Sequence, residues 1–228
     1  MLLINIIIYF CYYNNYFNSD SVIYIGSIYP SAMKILVVTT IILVFTILIS
    51  NYVYAHHYSG YRWLLTYTNV CYDVYSLSLV NINGNTNRFN IVASEIDQAR
   101  NDWNNLPSIF TINRVDPNNC NNWVTSSYGP NERWLGMVTY NQYLGYLVDA
   151  DMDINRAYSF ISSGDCLSEY LSNRYILDYV ARHEYGHYVM FNDVWFQNPS
   201  STMYGGYSCS RWNSVKSYDS NELSSIYG

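Results

Sequence analysis

The stretch His183-Glu184-Tyr185-Gly186-His187 constrains the fold more than any other part of the chain. Residues four apart lie on one face of an α-helix, so a helix here lets both imidazoles reach one metal ion. Glu184 then sits one position round the helix, where its carboxylate can reach a water on that metal. The alternative interpretation is a surface helix that carries two histidines by chance. The motif therefore predicts a helix that carries a metal site.

A catalytic zinc needs a third protein ligand, because such sites have three protein ligands and one open position. The chain has 4 His, and the two outside the motif, His56 and His57, adjoin a predicted processing site. The third ligand is therefore expected to be a carboxylate. Asp193, six residues after the second histidine of the motif, and Glu222, near the C-terminus, are the two candidates.

From residue 183 onward the chain resembles the metzincin zinc peptidases, and among them the matrixins. His183–Asp193 is similar to the extended motif H-E-x-x-H-x-x-G-x-x-H/D in its Asp-ending form. Residues 200–205, SSTMYG, resemble the Met-turn, and residues 218–228 are similar to the last helix of matrixin catalytic domains. Met190 stands where the family usually has the glycine of a sharp turn. A non-glycine residue there is strained if its φ is positive.

The resemblance implies an α+β fold, an α/β/α-like sandwich. It would contain a twisted mixed β-sheet, a backing helix, an active-site helix and a C-terminal helix. The backing helix is expected at Ile91–Trp103, where apolar residues recur at helical spacing.

The resemblance also implies a zinc-dependent endopeptidase. The implied zinc ligands are His183, His187 and Asp193. Glu184 would be the general base that takes a proton from the attacking water. Met203 would support the site from beneath without binding the metal, and Tyr204 or Tyr207 could donate a hydrogen bond to the oxyanion.

Two other functions stay open at this point. A gluzincin-like peptidase would keep the activity and use Glu222 as the third ligand. A non-catalytic cell-surface module would bind zinc only for structure. The intact Glu184 argues against the second function, because a structural zinc site has no need of a general base.

Residues 35–49, ILVVTTIILVFTILI, predict an export signal. Lys34 precedes this apolar run, and Val53-Tyr54-Ala55 follows it with small residues at the two positions that a signal peptidase reads. We expect cleavage that leaves a secreted chain. Retention as a membrane anchor, with the catalytic domain outside the cell, is the alternative.

The chain thus divides into three predicted segments. Residues 1–32 are expected to be an extension that results from an upstream start codon and is absent from the protein in the cell. The alternative is that they form a first membrane segment. Residues 33–55 would be the signal or anchor. Residues 56–228 would be the metallopeptidase domain.

Four cysteines follow the predicted cleavage site, and an even number in an exported chain favours two disulfides. They are Cys71, Cys120, Cys166 and Cys209. Three pairings are open, and free buried thiols are the alternative.

Periodicity gives a coarse secondary structure for the rest of the domain. We expect strands within 61–80, at 134–140 and at 146–154, a loop over 155–172 and the active-site helix over 174–189. The strand at 146–154 carries aspartates at every second position, which all face one side. That face is either solvated or holds a structural calcium ion. These aspartates are Asp149, Asp151 and Asp153.

The composition limits the classes of binding partner that we expect. The net charge is -6 with Lys+Arg 11, so no basic patch favours nucleic acid. The expected partner is a protein or peptide substrate, with a membrane only if the N-terminal segment is retained. Val194-Trp195-Phe196 suggests an apolar pocket wall but does not identify the substrate.

Overall fold

The computed structural model describes residues 58–194 and 200–228. The predicted signal or anchor of residues 33–55 and the extension of residues 1–32 lie outside this part of the chain. Trp195 and Phe196 of the expected pocket wall also lie outside it. Within the described part, no helix has the length and apolar character that crossing a membrane requires.

The described chain alternates strands and helices. In order, its elements are β1 (Arg62–Trp63), β2 (Tyr67–Tyr72), α1 (Val74–Ser78), β3 (Asn81–Ile82), α2 (Phe89–Asn104), β4 (Thr111–Arg114), a 3-10 turn (Pro117–Asn119), β5 (Asn122–Ser127), β6 (Gly136–Tyr143), β7 (Tyr146–Asn155), β8 (Ser159–Ile161), α3 (Cys166–Leu171), β9 (Arg174–Ile176), α4 (Leu177–Tyr188) and α5 (Ser217–Tyr227).

The main sheet has six strands, and all its pairings but one are parallel. Its order is β1-β7-β5-β2-β4, and β6 pairs antiparallel with β7. The first residues of β7 pair with β6 and with β1. Its last residues pair with β6 and with β5. Because a strand has only two edges, β6 occupies one edge of β7 and is the rim of the sheet. A smaller parallel sheet has the order β3-β8-β9.

The core joins the main sheet to helices α2 and α4. Buried residues alternate along β5 and along most of β7, as expected for strands with one face on a core. Ile96 and Trp103 of α2 and Tyr185 of α4 belong to the same buried cluster as the inward residues of these strands. The fold is a mixed α/β arrangement, compatible with the predicted α+β class. The predicted backing helix, the two strands of the antiparallel pair and the C-terminal helix are confirmed.

Three secondary-structure predictions were wrong in part. The strand region 61–80 ends in helix α1, because the Asp73 side chain accepts hydrogen bonds from the N–H groups of Tyr75 and Ser76 and caps a helix there. The predicted loop over 155–172 contains β8 and α3. The active-site helix begins at Leu177, because the preceding three residues pair with β8 as β9.

The disulfide pairing, which the sequence left open, is Cys71–Cys120 and Cys166–Cys209. The first bond ties β2 to the segment before β5. The second ties the start of α3 to the chain after Met203. Two disulfides are compatible with a protein that is exported to an oxidising compartment.

The three aspartates of β7 bond to protein donors. Asp149 accepts hydrogen bonds from Asn141, Asp151 from the N–H of Trp123, and Asp153 from the hydroxyls of β5. In the described part of the chain, the three do not form a group whose ligand atoms converge on one point. Of the two alternatives for this face, the geometry therefore does not favour the calcium site.

A buried arginine joins α4 to α2 and to the chain near the C-terminus. Arg182 is 2 % exposed. Its guanidinium donates to both oxygens of Asp178 at 2.7 Å, to Asp102 at 2.7 Å and to the carbonyl of Trp212 at 2.6 Å. These bonds compensate the cost of burying the charge, which otherwise exceeds the attraction within an ion pair.

Arg182→Met should lower the free energy of unfolding by about 3–5 kcal/mol, because the Asp178 carboxylate would stay buried without its cation. Urea denaturation followed by circular dichroism measures the change. Arg174→Met is the matched control, since the side chain of Arg174 is 48 % exposed in its ion pair with Glu169. Exposed pairs contribute about 0–1 kcal/mol. Equal effects of the two substitutions would contradict the prediction.

Candidate metal centre

Helix α4 carries both histidines of the H-E-x-x-H motif on its inward face. Residues 180–186 are all buried. His183 and His187 line the cleft, so the helix forms part of its floor. The two imidazole rings lie 4.9 Å apart between centroids and at 90° to each other. The spacing of one helical turn therefore brings the rings together, as the motif predicts.

Each imidazole is held by a backbone carbonyl. Nδ1 of His183 lies 2.9 Å from the carbonyl oxygen of Thr202, and Nδ1 of His187 lies 2.6 Å from that of Phe191. A carbonyl oxygen only accepts, so each Nδ1 carries the proton and donates it. The lone pair of each neutral ring is then on Nε2, which is the atom left to bind a metal.

Asp193 completes a group of three ligands. Its Oδ1 lies 3.1 Å from Nε2 of His183 and 3.5 Å from Nε2 of His187. The three ligand atoms all lie within 4.8 Å of one another. Glu222, the rival candidate, lies on α5 and accepts a hydrogen bond from the N–H of Tyr58. The carboxylate that converges with the two imidazoles is therefore that of Asp193.

The charges around this group favour a cation between the ligands. Burial opposes a charged His183, but the nearby carboxylates of Asp193 and Glu184 outweigh it and raise the pKa of this imidazole. Burial would also raise the pKa of Asp193, yet the hydrogen bond with His183 and the positive charge of both imidazoles, when they are protonated, lower it. Both shifts follow from the attraction between the carboxylates and a positive charge on the imidazole.

A strained turn carries the chain from α4 to Asp193. Met190 has a φ of 73°, the left-handed conformation that normally favours glycine. The N–H of Met190 donates to the carbonyl of His187, and that of Phe191 donates to the carbonyl of Gly186. This pair of bonds is the Schellman motif that ends many helices. The chain therefore turns sharply from α4 toward Asp193 with a methionine, not a glycine, in the left-handed conformation.

The segment Ser201–Met203 forms the floor under α4. The carboxylate of Asp219 in α5 accepts from the Ser201 hydroxyl and from the N–H of Thr202, and this fixes the carbonyl that holds His183. The sulfur of Met203 packs against Gly186, where any Cβ would overlap it. Met203 thus lies beneath the helix that carries both histidines.

Glu184 is a buried carboxylate beside the ligand group. It is 3 % exposed, and burial raises its pKa to about 7, although His183 opposes the shift. Its side chain packs on Gly136 of β6, where a Cβ would come within 2.6 Å of Cγ. Among the described residues, Oε2 of Glu184 has no hydrogen-bond partner. Such an atom is costly to bury, so it is suited to a partner that arrives with the substrate or solvent.

A cleft of about 610 Å³ opens above these residues. The rim strand β6 and the segment that follows Met203 both contribute to its walls. The residues that line these walls include Leu135, Gly136, Met137, Val138, Gly205, Gly206, Tyr207 and Trp212. The metal ligands and the Glu184 carboxylate are therefore accessible from solvent through the cleft.

The two candidate oxyanion donors occupy different positions. Tyr207 lines the cleft, and its hydroxyl oxygen accepts a hydrogen bond from the N–H of Ile176 at 3.0 Å. The ring of Tyr204 packs against the guanidinium of Arg211, 3.6 Å from its centroid. The same hydroxyl lies 3.3 Å from Sγ of Cys166, and because that sulfur belongs to a disulfide and has no proton, the hydroxyl donates to it. The role of either residue as an oxyanion donor stays a prediction.

Sequence reasoning missed the residues that support the ligands. Gly136 and Gly186 are required by close approach, and a glycine inside a strand or helix is the signal that could have indicated them. The carbonyls of Thr202 and Phe191 and the ring of Trp212 carry no such signal. Their roles depend on neighbours that are distant in sequence.

Comparisons with known proteins do not assign this chain to a family. No protein-family model matches this chain, and a search of curated proteins finds no match.

Because the backbone of Met190 is strained, we expect glycine to be more stable than alanine at this position, the reverse of the usual order. Met190→Gly should be more stable than Met190→Ala, because relief of the left-handed conformation, about 1–2 kcal/mol, exceeds the entropy cost of glycine, about 0.5–1 kcal/mol. Both variants lose the same buried side chain. Chemical denaturation measures the difference.

The matched control is Val189, the preceding residue, which has a φ of -91°. There the order should reverse, with Val189→Ala more stable than Val189→Gly. The same order at both positions would contradict the conformation described for Met190.

Proposed function

We propose that this chain is an exported zinc-dependent endopeptidase of the metzincin type. One observation carries the proposal: a buried carboxylate, Glu184, without a hydrogen-bond partner among the described residues stands beside a converging His-His-Asp group at the base of an open cleft. The disulfides and the predicted signal at residues 33–55 support export. Membrane anchorage through that segment is the alternative.

The donor set fits zinc. Two imidazole nitrogens and one carboxylate oxygen are ligands that Zn²⁺ accepts, and three protein ligands leave one position open for solvent or substrate. The ligands would be Nε2 of His183, Nε2 of His187 and a carboxylate oxygen of Asp193. When bound, zinc supplies Lewis-acid polarisation of the substrate carbonyl and makes water a stronger acid at neutral pH.

Glu184 is the residue that would move the proton. Its pKa of about 7 in the metal-free chain lies close to neutral pH, which suits a group that must accept and then release a proton. It would accept the proton from the attacking water and then deliver it to the nitrogen of the leaving amine.

Strand β6 gives the cleft a surface for an extended peptide. Within the described chain, β6 pairs only with β7, so its second edge has backbone groups open to another strand. Gly136, Met137 and Val138 line the cleft beside Glu184. A peptide added along this edge would gain main-chain hydrogen bonds and would bring its backbone, whatever its sequence, to the reactive groups.

The rival proposal is a surface module that binds zinc only for structure. It would have no use for Glu184, whose burial costs free energy and whose packing requires a glycine at position 136. Peptide cleavage separates the two proposals, since both include zinc binding.

Glu184→Gln should keep zinc bound and lower turnover by about 10²-fold or more, since the base is lost and no ligand is removed. The measurements are zinc content and cleavage of a random peptide library, read by mass spectrometry. Glu132→Gln is the control, because Glu132 is an exposed carboxylate in the loop before β6. A Glu184→Gln variant with full turnover would rule out the proposed mechanism.

Asp193→Ala should weaken zinc binding at least 10–100-fold, the loss typical of even an indirect ligand contact. Glu222→Ala should leave the affinity close to that of the unchanged chain. Competition against a chromogenic chelator measures both. If Glu222→Ala removes the metal and Asp193→Ala retains it, the gluzincin-like assignment replaces the metzincin one.

A further inference from the structure

The indole ring of Trp212 lies flat against a proposed zinc ligand. Its centroid is 4.1 Å from that of the His183 imidazole, and the two planes are inclined by 20°. Trp212 is 5 % exposed, so this face contact is shielded from solvent. Trp212 lies far along the chain from the H-E-x-x-H motif and is not part of it.

This ring contact restrains the His183 imidazole in a direction that its hydrogen bond to the Thr202 carbonyl does not. The bond from Nδ1 to the Thr202 carbonyl fixes one direction in the plane of the imidazole. It leaves the ring free to tilt about that bond. A flat ring packed on the imidazole face opposes the tilt, and therefore keeps Nε2 directed toward the place where the three candidate ligand atoms come together.

Trp212 is itself fixed on several sides. Its Nε1–H donates to the carbonyl of Tyr204 at 3.0 Å, and its own carbonyl accepts from Arg182 at 2.6 Å. The ring of Tyr207 meets the indole edge-on at 5.2 Å between centroids. The indole therefore cannot follow a tilting imidazole without breaking contacts that are buried.

We infer that Trp212 is a positioning residue for metal binding, which holds the imidazole of His183 at the angle that the metal requires. Metal affinity is sensitive to such support, and loss of groups that orient a ligand typically costs 10–100-fold. The inference rests on the proposed function only in that the chain binds zinc. It does not depend on peptide cleavage.

The test compares variants of the purified full chain that keep or remove a flat ring at position 212. Trp212→Phe keeps the ring and loses the N–H, whereas Trp212→Leu keeps apolar bulk without a ring. Phe110→Leu is the control, because Phe110 is a buried aromatic that packs on Tyr227 rather than on a ligand. The readouts are zinc affinity by chelator competition, the visible spectrum with cobalt in place of zinc, and the melting temperature without metal.

Trp212→Leu is expected to weaken zinc binding about 10–100-fold and to change the cobalt spectrum, which reports ligand geometry. Trp212→Phe should bind zinc nearly as the unchanged chain does. Phe110→Leu should lower the melting temperature without a change in the spectrum. If Trp212→Leu does not fold, Trp212→Met replaces it, since a flexible thioether fills the space without a flat face.

Unchanged affinity and spectrum in Trp212→Leu would overturn the inference. So would an equal loss in Trp212→Phe, since the N–H rather than the ring would then be responsible. A chain that binds zinc normally but cleaves no peptide would overturn only the proposed function. A chain that binds no zinc would overturn both.

Discussion

The bonds from the two Nδ1 atoms to backbone carbonyls are the interaction on which the rest of the site depends. They place the proton of each neutral imidazole on Nδ1, so that Nε2 of both histidines is the atom that could bind a metal. Each carbonyl needs its own support. That of Thr202 is fixed through Asp219 on α5, and that of Phe191 through the turn at Met190. Helix α5 and the turn that follows α4 thus both support this pair of rings.

The site concentrates features that are unfavourable for stability. Met190 is strained, Glu184 is a buried carboxylate, and Gly136 and Gly186 give up side chains so that neighbours can approach. Such features persist only where the surrounding structure fixes them. The network around Arg182, which joins α2, α4 and the Trp212 segment, provides this rigidity close to the metal ligands.

The parts of the fold that were predicted correctly depend on short-range patterns. Helix α2 follows from apolar residues at helical spacing, and β7 follows from alternation over ten residues. Strands β8 and β9, of three residues each, exist only because they pair with each other and with β3. No local pattern distinguishes such short strands from other structure, so the loop predicted over 155–172 missed β8 and the helix predicted over 174–189 missed β9.

The sequence alone determined which residues could form the candidate metal site. The spacing of His183, Glu184 and His187 predicted a helix with two imidazoles on one face, and Asp193 was one of two candidates for the third ligand. The tertiary structure decided the disulfide pairing, the choice of Asp193 rather than Glu222 as the converging carboxylate, and the stack of Trp212 on His183. The physical reason is the distance along the chain between the residues that interact. Helical periodicity relates residues three or four positions apart, whereas these contacts join segments that are far apart in sequence, and their sequence separation does not indicate how close they lie in space.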